Sequence, residues 1–111
     1  MSMLKIQEKV MALSDEKLKE VYSLASKVSL DAIEELCPAL LNICLNAKGD
    51  VLKNELGRVI FHLQKTERIN TRIGLEKLLH GALKVNAEKV FNLLEDSEEQ
   101  DLAKQIKVLL Q

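Results

Sequence analysis

Two cysteines and two histidines are the side chains of this 111-residue sequence that best suit nucleophilic or metal chemistry. Cys37 and Cys44 lie seven residues apart, which is wider than the spacing of a zinc knuckle, and the sequence has no second cysteine pair. The neighbouring Glu34 and Glu35 oppose formation of a reactive thiolate, because a thiolate is stabilised by nearby cations. We therefore predict two buried thiols and no metal site.

The histidines stand alone, in different predicted helices. His62 is followed by Lys65 one turn later, and His80 has Lys77 and Lys84 at similar spacings. Spacing alone leaves open a Cys–His pair that meets in space, but no nucleophile turn or carboxylate motif accompanies it. The four glycines are scattered singly, and none belongs to a phosphate-binding loop. We predict that the protein is not an enzyme and binds no cofactor.

A set of basic residues is the best candidate for a binding surface: Arg58, Lys65, Arg68 and Arg72. Their spacings place them on one stripe of a single predicted helix, opposite its leucines and valine. Such a stripe suits an acidic protein surface or the phosphates of a nucleic acid, and it is also an ordinary solvated helix face. Single-strand readers add aromatic platforms, and only Phe61 is near.

The charges are unevenly distributed, although the net charge is only −1. Residues 51–90 hold eight Lys and Arg against four acids, whereas the segments on either side are acidic. This asymmetry is either a functional surface or a chance sampling of solvated faces. The acidic run from Glu95 to Asp101 suggests, as a further hypothesis, that it neutralises the arginines of a second copy in a homo-oligomer.

The sequence predicts an all-α fold, a compact bundle of six or seven short amphipathic helices in a single domain over residues 1–111. Leu, Ile, Val and Ala dominate, aromatic residues are rare, and apolar residues recur at helical spacing almost from end to end. Ser14, Ser29 and Asn86 are predicted helix N-caps, and residues 97–100 match a capping box that opens the last helix. Pro38 is expected to kink or restart its helix, and Asn70-Thr71 to end another.

Residues 18–36 and 75–93 align without gaps at an offset of 57 and share five identical positions and a cap. One interpretation is an internal repeat of helix pairs within a bundle. A second is a divergent helix-turn-helix over residues 75–95, although Val90 follows the corner at Asn86 too soon for that motif. A third is coincidence between two amphipathic helix pairs.

The first ten residues alternate charged and apolar side chains, so they form no secretion signal, and no apolar stretch is long enough to span a membrane. We therefore expect a cytoplasmic protein. The most economical functional hypothesis is a small interaction or regulatory module that binds an acidic protein partner through the basic stripe. The alternative is a DNA-binding transcriptional regulator that uses residues 75–95.

Overall fold

The computed structural model of the chain describes residues 3–46, 55–97 and 99–110, and within them every regular element is helical. The elements are α1 (Met3–Ala12), α2 (Asp15–Ser23), a 3-10 helix (Leu24–Lys27), α3 (Leu30–Leu45), α4 (Glu55–Lys65), α5 (Arg72–Asp96) and α6 (Gln100–Leu109). The predicted all-α bundle is confirmed. The predicted fifth and sixth helices are joined across a kink in the long element α5, so the number of helices in the described part also agrees with the predicted six or seven.

The helix beginnings follow the sequence where a short polar side chain precedes an apolar run. Ser14 Oγ accepts from Lys17 N at 3.3 Å, and Ser29 Oγ accepts from Ala32 N at 3.2 Å, as predicted for N-caps. The predicted capping box at Ser97 is wrong. Ser97 is the residue that ends α5, and α6 begins only at Gln100 with Glu99 at its N-cap position, so Ser97 lies too early in the chain to cap α6.

Pro38 does not restart the helix that contains it. α3 runs without a break from Leu30 to Leu45 with Pro38 inside. Proline removes one backbone donor, and the carbonyl that loses its partner belongs to the exposed Glu34. Water can solvate that carbonyl, so the helix continues through the proline.

The long helix α5 is the centre of the bundle, and α1, α2, α3, α4 and α6 all pack against it. Its buried side chains include Leu75, Leu78, Leu79, Val90 and Leu94, which join residues of the surrounding helices in one hydrophobic core. A helix with so many neighbours buries residues on several sides, which is why its apolar residues do not form a single narrow stripe.

α5 bends at Asn86, whose extended backbone (φ −159°, ψ 89°) interrupts the helical geometry. Asn86 Oδ1 accepts from Lys89 N at 3.2 Å, so the predicted N-cap is confirmed although the two halves form one element. Gln7 of α1 spans the bend. Its Nε2 donates to the carbonyls of Leu83 and Lys84, both at 3.0 Å, and its Oε1 accepts from Ala87 N at 2.8 Å.

α4 ends earlier than the sequence suggests, at Lys65 instead of Asn70-Thr71. Glu67 adopts a left-handed backbone (φ 57°), and the amides of Glu67 and Arg68 donate to the carbonyls of Gln64 (3.3 Å) and Leu63 (3.1 Å). This pattern is a Schellman motif, which satisfies the last carbonyls of a helix.

Thr71 begins α5 and does not end α4. Its Oγ1 accepts from Gly74 N at 2.9 Å, as an N-cap does. Gly74 lies directly under the turn that precedes it, since a Cβ atom added there would lie 2.6 Å from the Arg68 carbonyl oxygen and would also overlap that of Ile69. Glycine at position 74 therefore permits a close approach between the start of α5 and the turn that precedes it.

The two aligned segments share their local caps in the structure, at Ser29 and Asn86. They differ before the corner, because a 3-10 helix precedes Ser29 whereas α-helical residues lead up to the bend at Asn86. An internal repeat is not confirmed by this correspondence and stays a prediction.

Candidate functional site: an exposed basic and apolar surface on α4

The four basic residues singled out in the sequence do not share one helix. Arg58 and Lys65 lie on α4, Arg68 lies in the turn that follows it, and Arg72 is the first residue of α5. All four are exposed. The prediction of a single stripe is wrong because the left-handed residue Glu67 turns the chain between Lys65 and Arg68.

Arg72 is bound to the backbone of its own chain. Its Nη1 donates to the carbonyls of Val28 at 2.7 Å, Ser26 at 2.8 Å and Ala25 at 3.4 Å. These carbonyls lie in the last turn and at the end of the 3-10 helix, where a cation is favourable because helix carbonyls there point away from the helix. Arg72 therefore fixes the start of α5 against the 3-10 helix.

The outer face of α4 combines charge with exposed apolar area. Phe61 lies between Arg58 and Lys65 in the sequence, one turn from each, and is 58% exposed. The Lys65 Nζ lies 4.9 Å from the centroid of the Phe61 ring, within the range of a cation–π contact. The sequence prediction of a binding surface included the basic residues and not Phe61. The feature of the sequence that marks Phe61 is its spacing of three residues from Arg58 and four from Lys65.

A groove of about 370 Å³ lies between the outer face of α4 and the end of α3. Leu45 of α3 forms one side and is 53% exposed. The residues that line the groove are Leu45, Gly57, Arg58, Ile60, Phe61 and Gln64. We name Leu45, Arg58, Phe61 and Lys65 the α4 surface. It places two cations beside apolar side chains that water reaches.

The cations of the α4 surface are not neutralised within the described part of the chain. The ion pairs among the described residues join Lys17 to Glu20 at 3.2 Å and Lys107 to Glu95 at 3.1 Å. Neither pair involves α4. Glu95 belongs to the acidic run that the sequence suggested as a counterpart for the arginines, and it is already paired within its own chain.

The cysteines are core residues, as predicted. Cys37 and Cys44 are fully buried free thiols, and burial raises the pKa of each to about 11. The Cys44 thiol also points to the carbonyl of Leu78, with a Sγ to O distance of 3.8 Å. Such thiols stay protonated at neutral pH and are poor nucleophiles.

The two histidines occupy different environments. His62 is exposed on α4, as its polar neighbours predict. His80 of α5 is half-buried and stacks on Tyr22 of α2, with ring centroids 5.0 Å apart. Its Nε2 is buried without a hydrogen-bond partner. Burial lowers the pKa of His80, the positive charges of Lys84 and Lys77 lower it further, and Asp15 raises it.

An acidic cluster lies elsewhere on the molecule, near the beginnings of α3 and α6. Burial, Asp101 and Glu35 all raise the pKa of Glu99. Both Asp101 and Glu35 therefore disfavour a negative charge on Glu99. Among the described residues, no group of three or more His, Cys, Asp or Glu side chains has an arrangement that could hold a metal ion.

None of the helices in the described ranges has the length and apolar character needed to cross a membrane. No protein family model, curated protein or solved structure matches the chain. The exposed cations and apolar side chains of the α4 surface are therefore the basis for the function proposed below.

Proposed function

We propose that this protein is a small, non-enzymatic interaction or regulatory module that binds an acidic protein surface through the α4 surface. The observation that carries the proposal is the exposed Phe61, flanked by Arg58 and Lys65 and bordering an apolar groove. Arginine and aromatic residues dominate the binding energy of protein interfaces, and charged neighbours guide the partner into register.

The mixture of charge and apolar area favours a protein partner over nucleic acid. The phosphate backbone of a duplex is bound through cations and polar donors, and would leave Phe61 and Leu45 exposed to water. The partner that uses the whole surface is an amphipathic segment with apolar residues for the groove and carboxylates for Arg58 and Lys65. Arg68 extends the positive charge beyond the end of α4, whereas the guanidinium of Arg72 already bonds to its own chain.

The alternative is DNA binding through residues 75–95. These residues lie in α5, where the exposed side chains beyond the bend are Lys89, Asn92 and Glu95. One cation beside a carboxylate attracts phosphate weakly. These three side chains do not favour DNA over an acidic polypeptide. Binding of DNA is therefore the competing outcome that the experiment below must distinguish.

The experiment is a binding titration with a fluorescein-labelled amphipathic peptide of Glu and Leu, and with the same peptide carrying Lys in place of Glu. We expect the acidic peptide to bind more tightly, and its affinity to fall as salt is added. Replacing both Arg58 and Lys65 by Ala should weaken binding about tenfold or more, and Phe61→Ala should weaken it independently of salt.

The matched control replaces Lys19 and Lys104 by Ala, which removes the same charge from exposed positions outside α4. This control should retain the affinity of the unmodified protein. Equal binding of the two peptides would contradict the proposal. Preferential, salt-sensitive retention of a mixed DNA duplex would instead favour the alternative.

We propose that the protein is located in the cytoplasm. Its two buried cysteines are free thiols, which are typical of a reducing compartment.

A further inference from the structure

The outward face of α3 is not covered by any described element. Its exposed residues run along one side of the helix over its whole length, which is about 24 Å for sixteen residues. They are Leu30, Asp31, Glu34, Glu35, Pro38, Asn42 and Leu45. The terminal leucines are large apolar side chains in contact with water, since Leu30 is 70% and Leu45 53% exposed.

This face changes in charge from one end to the other. Asp31, Glu34 and Glu35 lie in its first half, and none of them forms an ion pair within the described residues. Its last residue, Leu45, borders the groove that Arg58 also lines. The first half of α3 is therefore acidic, whereas its far end adjoins the unneutralised cations of α4.

We propose that two copies of this chain pair through this face, with the two α3 helices antiparallel. This inference rests on the proposed function and deepens it, because it names the acidic partner as a second copy of the chain. The antiparallel direction follows from charge: it places the acidic first half of one α3, with Asp31 and Glu34, beside the Leu45 end of the other, where Arg58 lies. A parallel pair would place acid against acid.

The arrangement is also closed by symmetry. A two-fold axis near Pro38, at the middle of α3, makes every contact occur twice and leaves no free interface for further copies. The same axis brings Leu30 of one copy towards Leu45 and Phe61 of the other. The apolar ends of the face then cover one another, while the charges set the register.

The test is sedimentation velocity on the full chain over a wide dilution series. We expect a monomer–dimer equilibrium that added salt shifts towards the monomer. Arg58→Glu alone, and Asp31→Lys with Glu34→Lys, should each weaken dimerisation by about tenfold or more, because each turns attractive contacts between the copies into repulsive ones. Circular dichroism would verify that both variants stay folded.

Mixing the two reversed variants gives the sharpest result. In the mixed pair, the intact carboxylates of one chain face the intact Arg58 of the other, and both reversed sites are complementary as well. An equimolar mixture should therefore form a heterodimer although each variant alone is monomeric. Lys104→Glu, an equal charge change at an exposed position of α6, should leave dimerisation unchanged.

A chain that stays monomeric at high concentration and low salt would overturn the inference. A dimer that persists in both reversed variants would also overturn it. A monomer that still binds the acidic Glu-Leu peptide through Arg58 overturns the dimer but keeps the proposed function, whereas loss of both activities removes both.

Discussion

Gln7 is a residue whose role the sequence hides. It sits in α1 between apolar positions, so its polarity indicates a surface residue. In the structure its amide bonds to carbonyls on one side of the α5 bend and to an amide on the other. The cap at Asn86 can be predicted from the sequence because its hydrogen bond joins residues three positions apart. The hydrogen bond between Gln7 and Ala87 joins residues 80 positions apart, so it depends on how the helices pack and cannot be predicted from the sequence.

We predict that Gln7→Ala lowers the free energy of unfolding by about 2 kcal/mol, because it leaves half-buried backbone groups at the bend without partners. Urea denaturation followed by circular dichroism measures the change. Gln105→Ala is the matched control, since Gln105 is exposed on α6. If both variants lose the same small amount of stability, the bonds of Gln7 contribute nothing beyond those of a surface glutamine.

His80 gives the stability a dependence on pH. Its pKa is lowered in the folded protein, so the unfolded chain binds the proton more readily. The free energy of unfolding must then fall as the pH drops below about 6.5, the ordinary value for histidine, towards the lower folded value. The groups facing His80 are Tyr22, Asp15, Lys77 and Lys84, and burial is the main cause.

We predict that His80→Phe reduces the loss of stability between pH 7 and about pH 5. Phenylalanine keeps a ring against Tyr22 and removes the ionisable nitrogen. Denaturation midpoints measured across this range would show the flatter profile, with His62→Gln as the control at an exposed histidine. An unchanged profile in His80→Phe would mean that another group causes the pH dependence.

Among the helices and turns, three of the four predicted N-caps are confirmed, whereas the capping box at Ser97 is wrong and Thr71, expected to end one helix, begins the next. Ser14, Ser29 and Asn86 all cap as their side chains indicate. The end of α4 was missed because its left-handed residue is Glu67, where glycine is the usual signal. The early end of α4 in turn divided the predicted stripe of basic residues, so an error of one turn at an element's end changed the expected binding surface.

We predict that Glu67→Gly stabilises the protein by up to about 1 kcal/mol, since glycine adopts the left-handed conformation without steric cost. Glu67→Ala removes the same side chain but keeps a Cβ, so it should not stabilise. Thermal denaturation of the two variants separates backbone strain from the loss of a charge. Equal melting temperatures would show that Glu67 is not strained.

For the molecule as a whole, the fold class followed from composition and period, but the arrangement of helices did not. Many helices here present leucine-rich faces, and such faces are interchangeable in a sequence pattern. The pattern therefore could not show that α5 is central, nor that Leu45 of α3 would meet Arg58 and Phe61 of α4. The sequence predicted the two cations of the α4 surface, Arg58 and Lys65. It did not predict the apolar side chains beside them, because Leu45 reaches that position only through the packing of α3 against α4.

The central position of α5 also determines when this chain can fold as a ribosome makes it. α1, α2 and α3 emerge first, yet the helix on which they bury their apolar faces follows them. The side chain of Gln7 cannot form its hydrogen bond to Ala87 until 80 further residues have been synthesised. At ordinary rates of synthesis that delay is roughly 4 to 16 seconds. Until then the nascent chain exposes its leucines, so the hazard of aggregation is greatest before α5 has emerged.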